Sequence, residues 1–310
     1  MRSFSAASFG VLVVTAFARA QAPLYDIGST LSEQFGSAVA SIGDVDADGV
    51  ADIVVGARHG LGAQADSGRA LVYSMKYGTF LYEVGGEHSG DLFGFSVAGI
   101  GDINGDGVGD FVVGAPQYDG LFGLTDAGAV YVYSGANGAL LGKSAGSALG
   151  DQLGYRVTGV RDVNFDGFPD FAASKPFGDS GVVGNDCGVV YIYSGAAPTS
   201  VLRTYVGQVA FDKFGSALCG ISDVNGDGRG DLLVGAPYND AGGFDAGRGY
   251  VVSGATSGTI LITKTGAVSA GWFGYSVAAI PDIDFDGRPE IAFGEPFSSV
   301  GASDSGRVRV

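Results

Sequence analysis

A chain of 310 residues is long enough to bury a full core, as one large β domain or as two ordinary ones. Its 46% apolar content excludes a disordered chain, and its 56 glycines follow no G-x-y period, which excludes collagen. A formal charge of −16 opposes binding to a nucleic-acid backbone, which needs lysine and arginine clusters, and opposes simple attraction to anionic lipid.

In chain order, residues 1–20 read first as a secretory signal peptide. Arg2 gives a thin positive start, FGVLVVTAF over 9–17 is the apolar stretch, and Ala18-Arg19-Ala20 offers small residues for cleavage before Gln21. A buried first strand is the alternative. The stretch is too short to anchor the chain across a bilayer, and no later apolar run offers a membrane tail. The expectation is a secreted protein, extracellular or at the cell surface, with the periplasm as a further location. Its mature domain is 21–310, without a transmembrane segment.

From residue 35 the chain repeats about every sixty residues. The second unit is the clearest. FGFSVAGIGD (93–102) predicts a strand, INGDGVGD (103–110) an acidic loop, and FVVGAP (111–116) a second strand ended by proline. GAVYVYSG (128–135) predicts a third strand and ALLG (139–142) a short fourth. The marks of the first strand recur at Phe35-Gly36, Phe93-Gly94, Leu153-Gly154, Phe214-Gly215 and Phe273-Gly274. The second strands read DIVVGA, DFVVGAP, DFAASKP, DLLVGAP and EIAFGEP. No segment carries a sustained helical period with caps.

Four short antiparallel strands per unit describe a propeller blade. The sequence ends at Arg307-Val308-Arg309-Val310, within a third strand, and Leu24-Tyr25-Asp26-Ile27-Gly28 echoes the fourth strand Leu81-Tyr82-Glu83-Val84-Gly85. The fold expected is therefore all-β: a β-propeller of five four-stranded blades, closed by an N-terminal strand that completes the last blade. A piece of a longer propeller, of seven blades for instance, is the alternative.

The loops after the first strands hold about half of the 33 acidic side chains. Each places oxygen ligands at positions 1, 3, 5 and 9, with glycine at 6 for a sharp turn and a backbone carbonyl at 7. The candidate metal ligands in the first two loops are Asp44, Asp46, Asp48, Val50 and Asp52, then Asp102, Asn104, Asp106, Val108 and Asp110. In the third and fourth they are Asp162, Asn164, Asp166, Phe168 and Asp170, then Asp223, Asn225, Asp227, Arg229 and Asp231. The fifth set is Asp282, Asp284, Asp286, Arg288 and Glu290. Hard oxygens around a tight loop suit Ca²⁺ better than Mg²⁺, which keeps its waters. About five Ca²⁺ ions are expected, one per blade, coupled to folding through the charge they neutralise. Acidic turns without metal are the alternative. An EF-hand is excluded, because its position 12 would be Val113 inside a strand.

At this point the chain resembles the FG-GAP repeat family, the propeller repeats of integrin alpha subunits and of many bacterial secreted proteins. Phe93-Gly94 with Gly114-Ala115-Pro116, and Phe214-Gly215 with Gly235-Ala236-Pro237, carry the resemblance, which covers residues 24–310. It implies that the aspartate loops bind Ca²⁺ on one side. In integrins the opposite face and its loops help to bind ligands. The departures are five units against seven blades, no leg domain, Gly56-Ala57-Arg58 without proline, and Ala173-Ser174-Lys175-Pro176 in the third unit.

The function expected is that of a secreted or surface calcium-binding module that binds or adheres to an extracellular protein or glycan. A structural component of an extracellular layer is one alternative, and a lyase-like polysaccharide-active enzyme is another. Arg156, Lys175, Arg203 and Lys213 would be the basic candidates for the enzyme. No G-x-S-x-G or H-E-x-x-H motif occurs, and no catalytic residue is assigned. His59 and His88 read as solvent-facing loop histidines. Glu83, Glu87 and Glu295 read as solvated acids, and a Cys187–Cys219 disulfide is left open. The long loops between second and third strands carry Tyr118, Phe122, Phe177, Tyr238, Phe244 and Phe297. These either reach a ligand or tuck under their own loops. Trp272 is expected to pack between blades.

Overall fold

The computed structural model describes residues 25, 27–29, 31–120, 123–299 and 304–310. The expected signal peptide lies outside these residues. Among the described residues no helix is long and apolar enough to cross a membrane.

Among the described residues, nineteen strands form five antiparallel sheets. The first takes β1 (Phe35–Gly43), β2 (Asp52–Ala57), β3 (Arg69–Ser74) and β4 (Thr79–Gly85). The second takes β5 (Ser96–Gly101), β6 (Asp110–Ala115), β7 (Ala129–Tyr133) and β8 (Leu140–Ala145). The third takes β9 (Arg156–Val160), β10 (Asp170–Lys175), β11 (Val189–Tyr193) and β12 (Val201–Val206). The fourth takes β13 (Ala217–Ile221), β14 (Asp231–Ala236), β15 (Arg248–Val252) and β16 (Ile260–Thr265). The fifth takes β17 (Ser276–Ile280), β18 (Glu290–Glu295) and β19 (Arg307–Arg309). Within each sheet, strands adjacent in sequence are adjacent in space.

The sheets stack face to face, and an apolar layer fills each gap. Every residue of β6, β10 and β14 is buried. Side chains alternate across a strand, so Phe111 and Val113 meet Val54 and Val72 of the first sheet, while Val112 meets Val157 and Phe171 of the third. Burial on both faces explains why these strands read as unbroken apolar runs instead of alternating ones.

Backbone approach sets the spacing between sheets. β5 starts at Ser96, later than FGFSV suggests, because Phe93 and Gly94 dock on the preceding sheet. Phe93 is fully buried and forms a parallel bridge with Gly68; Phe273 does the same with Gly247. Gly94, at φ +85°, donates its N–H to the Gly114 carbonyl. A Cβ on Gly114 would lie 2.0 Å from the Gly154 carbonyl oxygen of the next unit. The same conflict recurs between Gly56 and Gly94 at 2.1 Å, and between Gly235 and Gly274 at 1.9 Å. The Phe-Gly pair and the glycine ending the second strand are thus two sides of one contact.

The expected closed five-bladed propeller does not form. The fifth sheet has three strands, and no strand of the described residues lies beyond β19. Tyr25, from the segment expected to supply that strand, lies on the first sheet instead. Its hydroxyl donates to the Lys76 carbonyl, and its ring covers Gly78. The strands β1, β5, β9, β13 and β17 pack one on the next, but no comparable packing joins β17 to β1. Both end strands are open accordingly: Val39 on β1 is 59% exposed, and most of β17 is exposed or half-exposed. The sheets stand as an open row, because the fifth lacks its fourth strand and the N-terminal segment is engaged elsewhere.

Gly114→Ala should therefore lower stability by about 1–3 kcal/mol, since a backbone carbonyl cannot step aside as a side chain can. Gly181→Ala, where a Cβ meets nothing within 4 Å, should be near neutral. Denaturant melts of the two variants beside the parent chain check this.

Candidate functional site

All five aspartate loops join a first strand to a second, so they lie at one end of the row. The position-9 acid begins the second strand. Asp52, Asp110, Asp170 and Asp231 are each fully buried. Each carboxylate accepts two backbone N–H bonds. For Asp110 the donors are Ile103 at 2.9 Å and Gly135 at 3.0 Å; for Asp231 they are Val224 at 2.9 Å and Gly254 at 3.0 Å. Val45 and Met75 serve Asp52, and Val163 and Gly195 serve Asp170. One carboxylate thus ties the loop to the end of the third strand. Glu290 reaches the Ile283 N–H with both oxygens.

The remaining acids curl the loop around themselves. Position 1 accepts the N–H of the position-6 glycine: Gly49 to Asp44, Gly107 to Asp102, Gly167 to Asp162, Gly228 to Asp223 and Gly287 to Asp282. These five glycines hold φ between +85° and +92°, the left-handed turn that glycine permits. Position 5 accepts the N–H of position 7: Val50 on Asp48, Val108 on Asp106, Phe168 on Asp166, Arg229 on Asp227 and Arg288 on Asp286. Arg229 also donates Nε to the Val163 carbonyl of the preceding loop and lies over the Phe165 ring, which locks the two loops together.

Acidic side chains converge in two of these loops. Oxygens of Asp44, Asp46 and Asp48 lie within 4.8 Å of one another, as do those of Asp282, Asp284 and Glu290. Asp282 Oδ1 is buried there without a hydrogen-bond partner. In the middle loops an asparagine holds position 3. Asn104 Nδ2 donates to Asp106 and Asn164 Nδ2 to Asp166, while Asn225 Oδ1 accepts the Asp227 N–H. Asp46 likewise accepts the Asp48 N–H, and Asp284 the Asp286 N–H.

Two kinds of carboxylate result. Burial raises Asp110 and Asp231 and pushes Asp170 up to about 6, against the pull of their N–H donors. The Val108 N–H, with Asn104, holds exposed Asp106 below the usual carboxylate range. Asp223 is also lowered: burial would raise it, but N–H donors led by Gly228 outweigh that.

A further set of acids escaped the sequence reading. Glu33, Asp91, Asp151 and Asp212 each stand two residues before the Phe or Leu of the first-strand mark, and each is 2% exposed. Arg69 bonds Glu33, the His88 N–H bonds Asp91, Lys175 bonds Asp151 and Asn239 bonds Asp212. The fifth unit has Gly271 at this place, and Glu295 reaches across from β18 to fill it. A Cβ on Gly271 would lie 2.7 Å from Glu295 Oε1. Glu295 is fully buried and bonded by Arg307 and Arg309, so it is not the solvated acid expected. The signal was present in the recurring D-x-F-G and D-x-L-G. Of the other singled-out residues, Glu83 pairs with Arg69, Glu87 with Lys143 and His59 with Asp66. His88 lies beside the Tyr118 ring, and Cys187 and Cys219 are free thiols.

The opposite end of the row carries rings and cations. Phe95 contacts Tyr155, which contacts Phe177. Lys213 lies over Phe177 and Tyr238, and Tyr238 meets Trp272. Trp272 in turn meets Tyr275 and Phe297, so it packs between the fourth and fifth units as expected. Tyr118 tucks inward against Tyr131, Phe244 is exposed, and Phe122 lies outside the described residues. Of the basic candidates for an enzyme, Lys175 is buried with Asp151 and Arg203 donates to the Ala255 carbonyl from an outer strand. Arg156 and Lys213 belong to the ring surface.

Tandem antiparallel sheets, each with an aspartate loop between its first two strands, define a β-repeat protein. The FG-GAP repeat matches residues 35–73, 93–133, 214–252 and 273–310, about half of the chain, and the chain belongs to the FG-GAP repeat family. The stretch between the second and third matches holds Leu153-Gly154 and Ala173-Ser174-Lys175-Pro176, where the motif departs most. Integrin alpha-V of Gallus gallus is 32% identical over 208 residues, covering 63% of this chain and 19% of that protein. Integrin alpha pat-2 of Caenorhabditis briggsae is 32% identical over 228 residues, covering 67% of this chain and 18% of that protein. The solved rhamnogalacturonan lyase YesW aligns with a TM-score of 0.48 at 17% identity, over 87% of this chain and 48% of that one. The chain spans less than a fifth of the integrin subunits it matches.

The two kinds of carboxylate predict opposite behaviour in chelator. Asp231→Asn leaves a buried N–H facing an amide donor and should cost about 1–3 kcal/mol even without metal. Asp106→Asn should melt with the parent chain in chelator. Paired thermal melts check both.

Proposed function

We propose that this chain is a calcium-binding repeat module of the extracellular space or cell surface, which holds its loops with Ca²⁺ and binds an extracellular protein or glycan. The observation that carries the proposal is the fifth loop. Three acids converge there around a buried carboxylate oxygen that no protein donor satisfies. A hard divalent cation fits such a donor set, and like charges that close call for one. The same loop recurs in every unit, so about five ions are proposed. Positions 1, 3, 5 and 9 would hold each ion with the position-7 carbonyl. The position-9 carboxylates have spare lone pairs beyond their two N–H bonds. Bound Ca²⁺ would supply positive charge, offsetting more than half of the formal −16. A site at residues 1–20 for export, with 21–310 as the mature domain, belongs to the same proposal.

Membership in the FG-GAP family, with integrin alpha subunits as relatives, favours binding over catalysis. The division of the molecule supports this too: one end is occupied by near-identical acidic loops, the other by varied aromatic ones. A rigid scaffold with variable loops is an arrangement suited to recognition. The test is a screen of the mature chain against extracellular glycans and proteins, in Ca²⁺ and in chelator. Saturable binding that requires Ca²⁺ is expected. Ordered self-assembly in Ca²⁺ with no outside ligand would contradict the proposal and favour a structural layer component. Product release from a polyuronate would favour a lyase.

A further inference from the structure

We propose that the cleft between the second and third sheets binds a neutral sugar residue of an extracellular glycan. This rests on the binding-module reading and gives it a site and a ligand class.

Departures of the third unit from the repeat meet in one place. Leu153 stands where Phe35, Phe93, Phe214 and Phe273 stand in the other units. Lys175 ends its second strand where Ala57, Ala115 and Ala236 end theirs. In two other gaps the phenylalanine lies against a tyrosine of the third strand. Ring centres are 5.1 Å apart for Phe93 and Tyr131, and 5.3 Å for Phe214 and Tyr250. Leu153 has no ring to lay on Tyr191, the corresponding tyrosine, and a cleft of about 390 Å³ opens there. Leu153, Lys175, Tyr191 and Tyr193 line it, with Ser144 of β8 and Thr204 of β12. Its volume falls in the range of small-molecule sites, about 300–1,000 Å³.

The lining decides the ligand. Lys175 is 8% exposed, and its Nζ donates to Asp151 at 2.6 Å. Burying an ammonium costs desolvation, and alanine at this place in three other units shows that the fold does not require a lysine. Nor does Lys175 fill the space left by the missing ring, since the cleft remains beside it. Asp151 takes one of its three N–H groups and cancels its charge. The cleft thus offers a strong donor without net charge, which disfavours an anion. Nζ also lies 5.6 Å from the centre of the half-buried Tyr191 ring. Ser144 and Thr204, half-buried as well, add hydroxyls that both donate and accept.

A pyranose presents the complement of this lining. Its C–H face is apolar and stacks on an aromatic ring, and its perimeter of hydroxyls both donates and accepts. A hydroxyl oxygen accepts from the ammonium as a charge-assisted bond without bringing a second negative charge beside Asp151. A flat aromatic ligand would cover the rings but leave the ammonium and hydroxyls of a closed cleft without partners, which costs more than the rings return.

The test is a titration of the full chain, read by NMR, with the methyl glycosides of glucose, galactose and mannose, with N-acetylglucosamine, and with galacturonate as the charged control. At least one neutral sugar should bind saturably and more tightly than galacturonate. Leu153→Phe, which restores the residue of the other units, should keep the melting temperature and abolish that binding. Thr204→Val should weaken it about two- to tenfold, the worth of one hydrogen bond, and it serves alone if Leu153→Phe does not fold. Saturable binding of none of the neutral sugars, a preference for galacturonate, or binding unchanged by both substitutions would overturn the proposal. An extracellular protein or glycan that Leu153→Phe holds as tightly as the parent chain does would leave the binding-module reading standing and remove this cleft from it.

Discussion

Close backbone contact between successive units governs the molecule. The glycine ending one second strand leaves no room for a side chain because the Phe-Gly carbonyl of the next unit occupies that space. Phenylalanine wedges into the apolar layer while glycine lets the chain pass. This contact fixes sheet-to-sheet spacing, and the antiparallel order that every sheet shares puts each first-to-second-strand loop at one end and each second-to-third-strand loop at the other. The acidic loops and the aromatic loops are separated by the same geometry. The third unit shows the tolerance of the device: Leu153 replaces phenylalanine and Ser174 replaces glycine, yet β9 to β12 form a full sheet.

Aspartate does two jobs in these loops. At position 9 it is an internal acceptor, buried and bonded to two N–H groups, and it would be needed with or without a metal. At positions 1 and 5 it shapes the turn through backbone donors. Only in the first and fifth loops do acids converge closely, because only there is position 3 an aspartate. In two of the asparagine loops the position-3 amide instead donates to the position-5 carboxylate. If the loops hold Ca²⁺ as proposed, fewer negative charges per loop would make the asparagine loops the weaker ones, since affinity follows ligand charge.

Much of this was legible in the sequence because it repeats. Strand type and order followed from short β-branched runs between glycine and aspartate, and the loops from the spacing of their acids. That the ring stays open was not legible. The likeness of residues 24–28 to a fourth strand is local, whereas the place Tyr25 takes depends on Gly78 and Lys76 far along the chain. Glu295 was misread for a related reason: its burial follows from the absence of a side chain at Gly271, a compensation between two strands that neither strand reveals alone. The ring surface was visible only as scattered aromatics, because stacking of Phe95, Tyr155 and Phe177 requires the sheets to be placed first.

The measurement that tests the account most directly is a calorimetric Ca²⁺ titration of the chelated mature protein, with a parallel thermal melt. About five sites are predicted, with a large rise in melting temperature. Each loop saturated at a hundredfold excess over its Kd adds about 2.7 kcal/mol. No heat of binding and an unchanged melt would make the loops acidic turns closed by their own backbone, and would contradict the account.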